Sequence, residues 1–258
     1  MKIGACIGTD IEKIEYLKSI GYDYFESHCQ EIVKSPWETI EKIKAIGLPV
    51  LAANCFIGMR IVGEEKDYVA IDEYLAQLFE KAAYLGIKYL VFGSSAARRI
   101  PDGMSLEEGR AEIIDFLKNH VVPLCEKYKT ITIAIEPLRP QECNAINTVV
   151  QGIEVAKAVD SPYVKVLADL AHVYVQNESF DDISGSQGML VHAHTSNPNP
   201  PEESGRKRIY PKRDDGYCQG DFFAALKDAG VEQCSIEAEV IDFESDVSEA
   251  LEVLKVYR

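Results

Sequence analysis

Basic residues, histidines and paired cysteines are all scarce in this chain, and each shortage excludes something. Its 27 lysines and arginines face 42 aspartates and glutamates, a net charge of −15. A phosphate backbone needs a basic face, so nucleic acid is excluded as a partner. No apolar run approaches the ~20 residues of a membrane span, which excludes a membrane partner. Seven cysteines, an odd number without a CxxC pair, read as scattered reduced thiols rather than a disulfide framework. The opening MKIGACIGTD runs straight into a strand without the apolar core of a signal peptide, so the expected compartment is the cytoplasm. No GxGxxG or GKS/GKT turn follows any strand, which removes the common phosphate-cradling motifs.

What remains is enough for a sizeable core: 258 residues, 47% of them hydrophobic. Eight short apolar runs alternate with helical periodicity. The expected strands are Lys2–Gly8, Tyr22–Glu26, Val50–Asn54, Tyr89–Phe92, Ile131–Ile135, Val164–Ala168, Leu190–Ala193 and Cys234–Ile236. Helix boundaries are marked between them. Gly21, Gly47 and Gly86 stop helices, and Ser35-Pro36-Trp37-Glu38 and Ser105 to Glu108 read as capping boxes. Eight βα units without a linker predict α/β architecture and one (β/α)8 TIM barrel domain over residues 1–258. An open doubly wound sheet is the rival, disfavoured by the missing glycine-rich turn. In a barrel the C-terminal strand ends gather on one face, where such enzymes keep their sites.

Four of those ends carry metal-ligand chemistry. The run Ile131-Thr132-Ile133-Ala134-Ile135 stops at Glu136-Pro137, where proline cannot continue a central strand. A carboxylate there is costly to desolvate unless something positive meets it. One such residue reads equally well as a salt bridge or a helix cap. Three further strands, however, end in Asp169, His194 and Glu237. Three carboxylates and one imidazole from neighbouring strands make a mostly oxygen site for one divalent metal ion, Mn²⁺ first, with Mg²⁺, Co²⁺ or Zn²⁺ as alternatives. Glu142 and Asn144 follow Glu136 in its loop, and His172 follows Asp169 by three residues. His192, two before His194, is expected to point to the other side of its strand in a structural role. The loop from Pro198 to Gly216 gathers Arg206, Lys207, Arg208, Lys212 and Arg213 in an otherwise acidic chain, and reads either as a solvated tip or as a clamp on an anionic substrate group.

The stretches IEPLRPQECNAINT, ADLAH, VHAHTSN and SIEAE resemble the xylose isomerase-like TIM barrel superfamily of sugar phosphate isomerases and epimerases, above all its ketose 3-epimerase-like branch. The resemblance covers the whole chain. It implies that Glu136, Asp169, His194 and Glu237 bind one divalent metal, and that Glu136 and Glu237 also carry the catalytic protons. Glu142 and His172 match the family's substrate-contacting glutamate and histidine. The family's substrate arginine, six residues after the metal histidine, is replaced by Pro200; Arg206, Arg208 and Arg213 of the longer loop are the candidates to bind substrate in its place. A carbohydrate substrate and a homo-oligomer, dimer or tetramer, are implied in the same way.

The chemistry implied is proton abstraction next to a carbonyl, giving a metal-stabilised enediolate. Return of the proton to the opposite face gives an epimerase and to the neighbouring carbon an isomerase. Dehydration of an inositol- or shikimate-like compound by a lyase using the same metal site is the alternative enzyme class, and a non-catalytic sugar-binding barrel the alternative outside enzymes. The endonuclease-IV type of relative needs a histidine-rich multi-zinc site, which five histidines and the acidic charge argue against.

Overall fold

A computed structural model describes residues 1–64, 66–197, 208–213 and 219–258. In chain order the first half comprises β1 (Lys2–Ala5), α1 (Ile11–Ile20), β2 (Phe25–His28), α2 (Cys29–Lys34), α3 (Trp37–Ile46), β3 (Val50–Asn54), α4 (Tyr68–Leu85), β4 (Tyr89–Phe92), α5 (Ser95–Arg98) and α6 (Leu106–Phe116). A single π turn, Leu117–Val121, joins α6 to α7 (Val122–Tyr128). Then come β5 (Thr132–Ile135), α8 (Val149–Val159), β6 (Val164–Asp169), α9 (Leu170–Val175), α10 (Phe180–Ser184), β7 (Leu190–Thr195), α11 (Gln219–Asp228), β8 (Gln233–Ile236) and α12 (Phe243–Leu254). Among the described residues no helix is long and apolar enough to cross a membrane.

All eight strands are parallel, in the order β1-β8-β7-β6-β5-β4-β3-β2. Among the described residues, the ring is joined between β1 and β2 by a bridge from Cys6 to Glu26, which includes the bond from Ile7 N–H to Glu26 C=O (3.1 Å), and by a bond from Asp23 N–H to Ile3 C=O (3.1 Å). The expected TIM barrel is the observed fold.

Side-chain alternation explains what the barrel wall does. In β5, Ile133 and Ile135 join the main core beneath the helices, while Ala134 packs inside with Val91 and Leu167. Inside-facing residues continue two positions on: Val91 leads to Gly93, Ala134 to Glu136 and Leu167 to Asp169. Along β4 to β6 the interior is therefore apolar at mid-height and polar at the C-terminal rim.

Element limits moved where local hydrogen bonding outweighed hydropathy. Strand β1 ends at Ala5, before Gly8 turns with φ +70. Strand β2 starts at Phe25, later than expected, and takes in Ser27 and His28. The box read at Ser35 does not form: Pro36 precedes α3 without a side-chain cap. Ser35 N–H already serves Glu31 C=O (2.8 Å) at the end of α2, and Glu38 instead accepts from Lys42 (2.7 Å). The Ser105 box does form, with Glu108 N–H donating to Ser105 Oγ (3.2 Å) and Ser105 N–H to Glu108 Oε2 (2.9 Å). The helix expected to run on to Tyr128 does so through the π turn, because Pro123 has no N–H for the i−4 carbonyl and the preceding turn widens. Helices α2, α9 and α10, of five or six residues, are too short to show a period.

Candidate metal and catalytic site

Glu136, Asp169, His194 and Glu237 come together at the rim. One donor atom from each lies within 4.8 Å of the others. His194 Nδ1 is 3.2 Å from Glu136 Oε1, 3.3 Å from Glu237 Oε2 and 3.8 Å from Asp169 Oδ2. All four side chains are deep: His194 is fully buried, and Glu237, the most open, has a side chain 24% exposed.

In three of the four, one polar atom is tied to the protein and a second is left for the centre. Asp169 Oδ1 accepts from the N–H of Ala171 (2.7 Å) at the start of α9, leaving Oδ2 inward. Glu237 Oε1 accepts from Asn54 Nδ2 (2.8 Å), leaving Oε2. His194 Nε2 lies 3.0 Å from Glu26 Oε1, leaving Nδ1. Glu136 is accommodated differently. A Cβ on Gly93 would fall 2.0 Å from its Oε2, so only glycine leaves the carboxylate its place. The Glu136 carbonyl, not its carboxylate, takes the buried guanidinium of Arg98, which also donates to Phe92 C=O.

So many buried carboxylates demand positive charge. Part is supplied by Arg208, whose NH1 donates to Asp169 Oδ2 (2.7 Å) and to Glu237 Oε2. The guanidinium thus lies against two of the four inward donors, as a cation would. Burial would raise Glu237, but His194 and Arg208 hold it well below the usual carboxylate range. Burial, and then the charge of Glu237, pushes Glu136 up to about 7. His194 is raised well above an ordinary imidazole, Glu26 and Glu237 overcoming the burial that would lower it. A set of three oxygens and one imidazole nitrogen, short of positive charge and partly neutralised by a guanidinium, fits a hard divalent cation.

The other expected site residues divide. His172 is buried at the cluster's edge, 2.9 Å from Arg208 NH2 and 4.0 Å from Glu142 Oε2. Burial lowers its affinity for a proton. Glu142 accepts from Arg139 Nε (2.8 Å). It lines, with Ser95, Gln141, Arg208, Glu237 and Glu239, an open cleft of about 500 Å³ that reaches Glu237 of the four donors. Asn144 exchanges two hydrogen bonds with the backbone of Ile100 (2.9 and 3.0 Å) and so ties two rim loops together. Arg206 and Pro200 lie outside the described residues, as does most of the Pro198–Gly216 loop. The described part of that loop is stitched between β7 and β8 by bridges from Ile209 to Asn197 and Glu239. Arg213 is not brought to the cluster. Its N–H donates to Glu249 (3.2 Å), its charge lies by Glu252, and neighbouring Lys212 pairs with Asp246, all on α12.

His192 corrects an expectation. It does not face away from His194: residues i and i+2 of a strand share a face, and both rings reach Glu26, His192 Nε2 at 2.8 Å from Oε2. A bulge that skips Val191 pairs Leu167 with His192 and Asp169 with His194. Two further residues at the site, Glu26 and Asn54, carry no motif in the sequence. The available signal was alternation counted back from the rim, since each lies on the inner face of its strand.

A family profile described as xylose isomerase-like TIM barrel matches residues 14–257. A 3-dehydro-D-guloside 4-epimerase of Escherichia coli is 24% identical over 196 residues, 71% of this chain and 72% of the relative. Among solved structures, a D-psicose 3-epimerase with D-tagatose from Clostridium cellulolyticum aligns with a TM-score of 0.84 at 17% identity, covering 100% of this chain and 99% of that one. IOLI protein, solved with a binding zinc atom, aligns at 0.77 and 19% identity, covering 100% and 99%. At these identities the structural likeness establishes the fold.

Proposed function

The chain belongs to the xylose isomerase-like TIM barrel family, and on that footing we propose that it is a divalent-metal-dependent epimerase of a keto-sugar or sugar derivative. One observation carries the reading: Glu136, Asp169, His194 and Glu237 turn their inward donor atoms to a common point within 4.8 Å of one another. The metal, Mn²⁺ first among divalent ions, supplies when bound the positive charge that acidifies a C–H beside a substrate carbonyl.

The protein's own groups do the rest. Asp169 and His194 serve as holding ligands. Glu136 and Glu237 double as proton carriers. They leave β5 and β8, with two strands between them, so a carbon held between their carboxylates presents one face to each. One removes the proton, and the other delivers a proton to the opposite face. Glu142 and Arg208, which line the cleft, and His172, beside Arg208, take the substrate's oxygens. The relatives' names agree with this chemistry: one is a 4-epimerase of a 3-dehydro sugar and the other a 3-epimerase of D-psicose.

A panel of 2-ketoses and 3-keto-glycosides incubated with the protein in D₂O tests the reading by NMR. Deuterium should enter at the carbon beside the carbonyl as the epimer accumulates, stop on chelation and resume with Mn²⁺. Uptake unaffected by chelation, or inversion without uptake, overturns it.

A further inference from the structure

Inside the barrel, one layer below the four donors, sits a carboxylate for which the proposed reaction has no direct use. Glu26 is wholly enclosed. Its Oε1 is 3.0 Å from His194 Nε2 and its Oε2 2.8 Å from His192 Nε2. An ionised carboxylate only accepts hydrogen bonds, so both imidazoles must carry hydrogen on Nε2. With that nitrogen committed, the lone pair of a neutral His194 lies on Nδ1, the atom that faces Glu136, Asp169 and Glu237. The other end of the arrangement is also fixed. Ser235 Oγ lies 3.4 Å from His192 Nε2, and the Tyr24 hydroxyl 2.9 Å from Ser235 Oγ.

We propose that Glu26 is a positioning residue of the metal centre, holding His194 in the Nε2–H tautomer so that Nδ1 is offered to a divalent cation. The inference rests on the metal-site reading above. A histidine ligand whose second N–H is fixed by a carboxylate gains both orientation and basicity.

Glu26→Gln distinguishes this role from simple packing. Glutamine keeps the shape but offers one acceptor and one donor to two imidazoles. Whichever ring meets the donor must move its hydrogen to Nδ1. For His192 that hydrogen would enter a buried position where, among the described residues, Nδ1 has no hydrogen-bond partner. For His194 it would point at the carboxylates of Glu136 and Glu237. The substitution therefore drives His194, not His192, into the tautomer that cannot bind metal.

Mn²⁺ titration followed by the EPR signal of the free ion reads the outcome without any substrate. Wild type should bind one ion. Glu26→Gln should bind roughly 10- to 100-fold more weakly, whereas His192→Phe, which leaves the Glu26–His194 contact, should stay near wild type. Equal affinity in wild type and Glu26→Gln, or equal losses in both variants, overturns the positioning role. A wild type that binds no ion instead sinks the metal-site reading itself. Should either variant fail to fold, ¹⁵N-histidine NMR of the Zn²⁺-loaded wild type decides. The hydrogen of His194 must then be on Nε2 and the metal on Nδ1, and a bare Nε2 contradicts the proposal.

Discussion

Arg208 holds two of the four proposed ligands, Asp169 and Glu237, through one nitrogen. A guanidinium there neutralises charge that a divalent ion would also neutralise, so the two cations compete for the same oxygens. Breaking such a buried arrangement by removing one partner costs up to ~3–5 kcal/mol. Arg208→Met should therefore lower the melting temperature of the metal-free protein by several degrees. With Mn²⁺ saturating, the loss should be smaller, so the stabilisation by metal widens. Calorimetry with and without metal checks this, and an unchanged gap between the two forms would show that Arg208 and the ion do not share a site. The four ligand candidates were legible in the sequence because a charged side chain at the end of a buried strand has few reasons to be there. Glu26 was not, because a glutamate inside a strand looks like any solvent-facing alternation until the strand's inner face is known. His192, which shares that inner face with His194, meets the same carboxylate.

Among the elements, the two serine-led helix starts make the clearest contrast. Ser105 and Glu108 exchange both bonds of a capping box, whereas Ser35 has its N–H committed to Glu31. Ser105→Ala should cost ~1 kcal/mol, a typical loss for a capping residue, and Ser35→Ala much less. Urea unfolding of the two variants measures the difference, and equal losses would contradict it. The same comparison carries a pH dependence. The backbone and side chain of Ser105 hold Glu108 below its ordinary value. A carboxylate with a depressed folded value contributes stability that is present above its unfolded value and lost as pH falls through the folded one. The penalty of Ser105→Ala should thus shrink in acid. Both motifs look alike as four letters. What separates them is the short helix α2 ending at Ser35, which has too few turns to leave a pattern.

At the scale of the whole molecule, eight repeats of strand and helix were readable because each strand is a short apolar run closed by a turn residue. Ring closure was not, because it rests on the Cys6–Glu26 bridge and the bonds beside it, between residues nineteen or twenty positions apart that carry no pairing signal of their own. The longer loop after β7 resisted for a related reason: its basic residues suggest one clamp, yet Arg208 turns to the cluster while Arg213 turns to α12. The adjacency of β5, β6, β7 and β8 in the wall brings Glu136 of the β5 rim and Glu237 of the β8 rim to one histidine nitrogen, at 3.2 and 3.3 Å. The central claim is that these two carboxylates carry the proton on opposite faces of one carbon. Its most direct measurement is turnover and C–H exchange in D₂O for Glu136→Gln and Glu237→Gln, each metal-loaded, with both epimers of the substrate. Each variant should lose turnover by roughly 10²- to 10⁴-fold, as expected for a lost general base or acid, and each should still exchange deuterium with a different one of the two epimers. Turnover within about tenfold of wild type in both variants, a barrier change of only ~1.4 kcal/mol, would contradict the account.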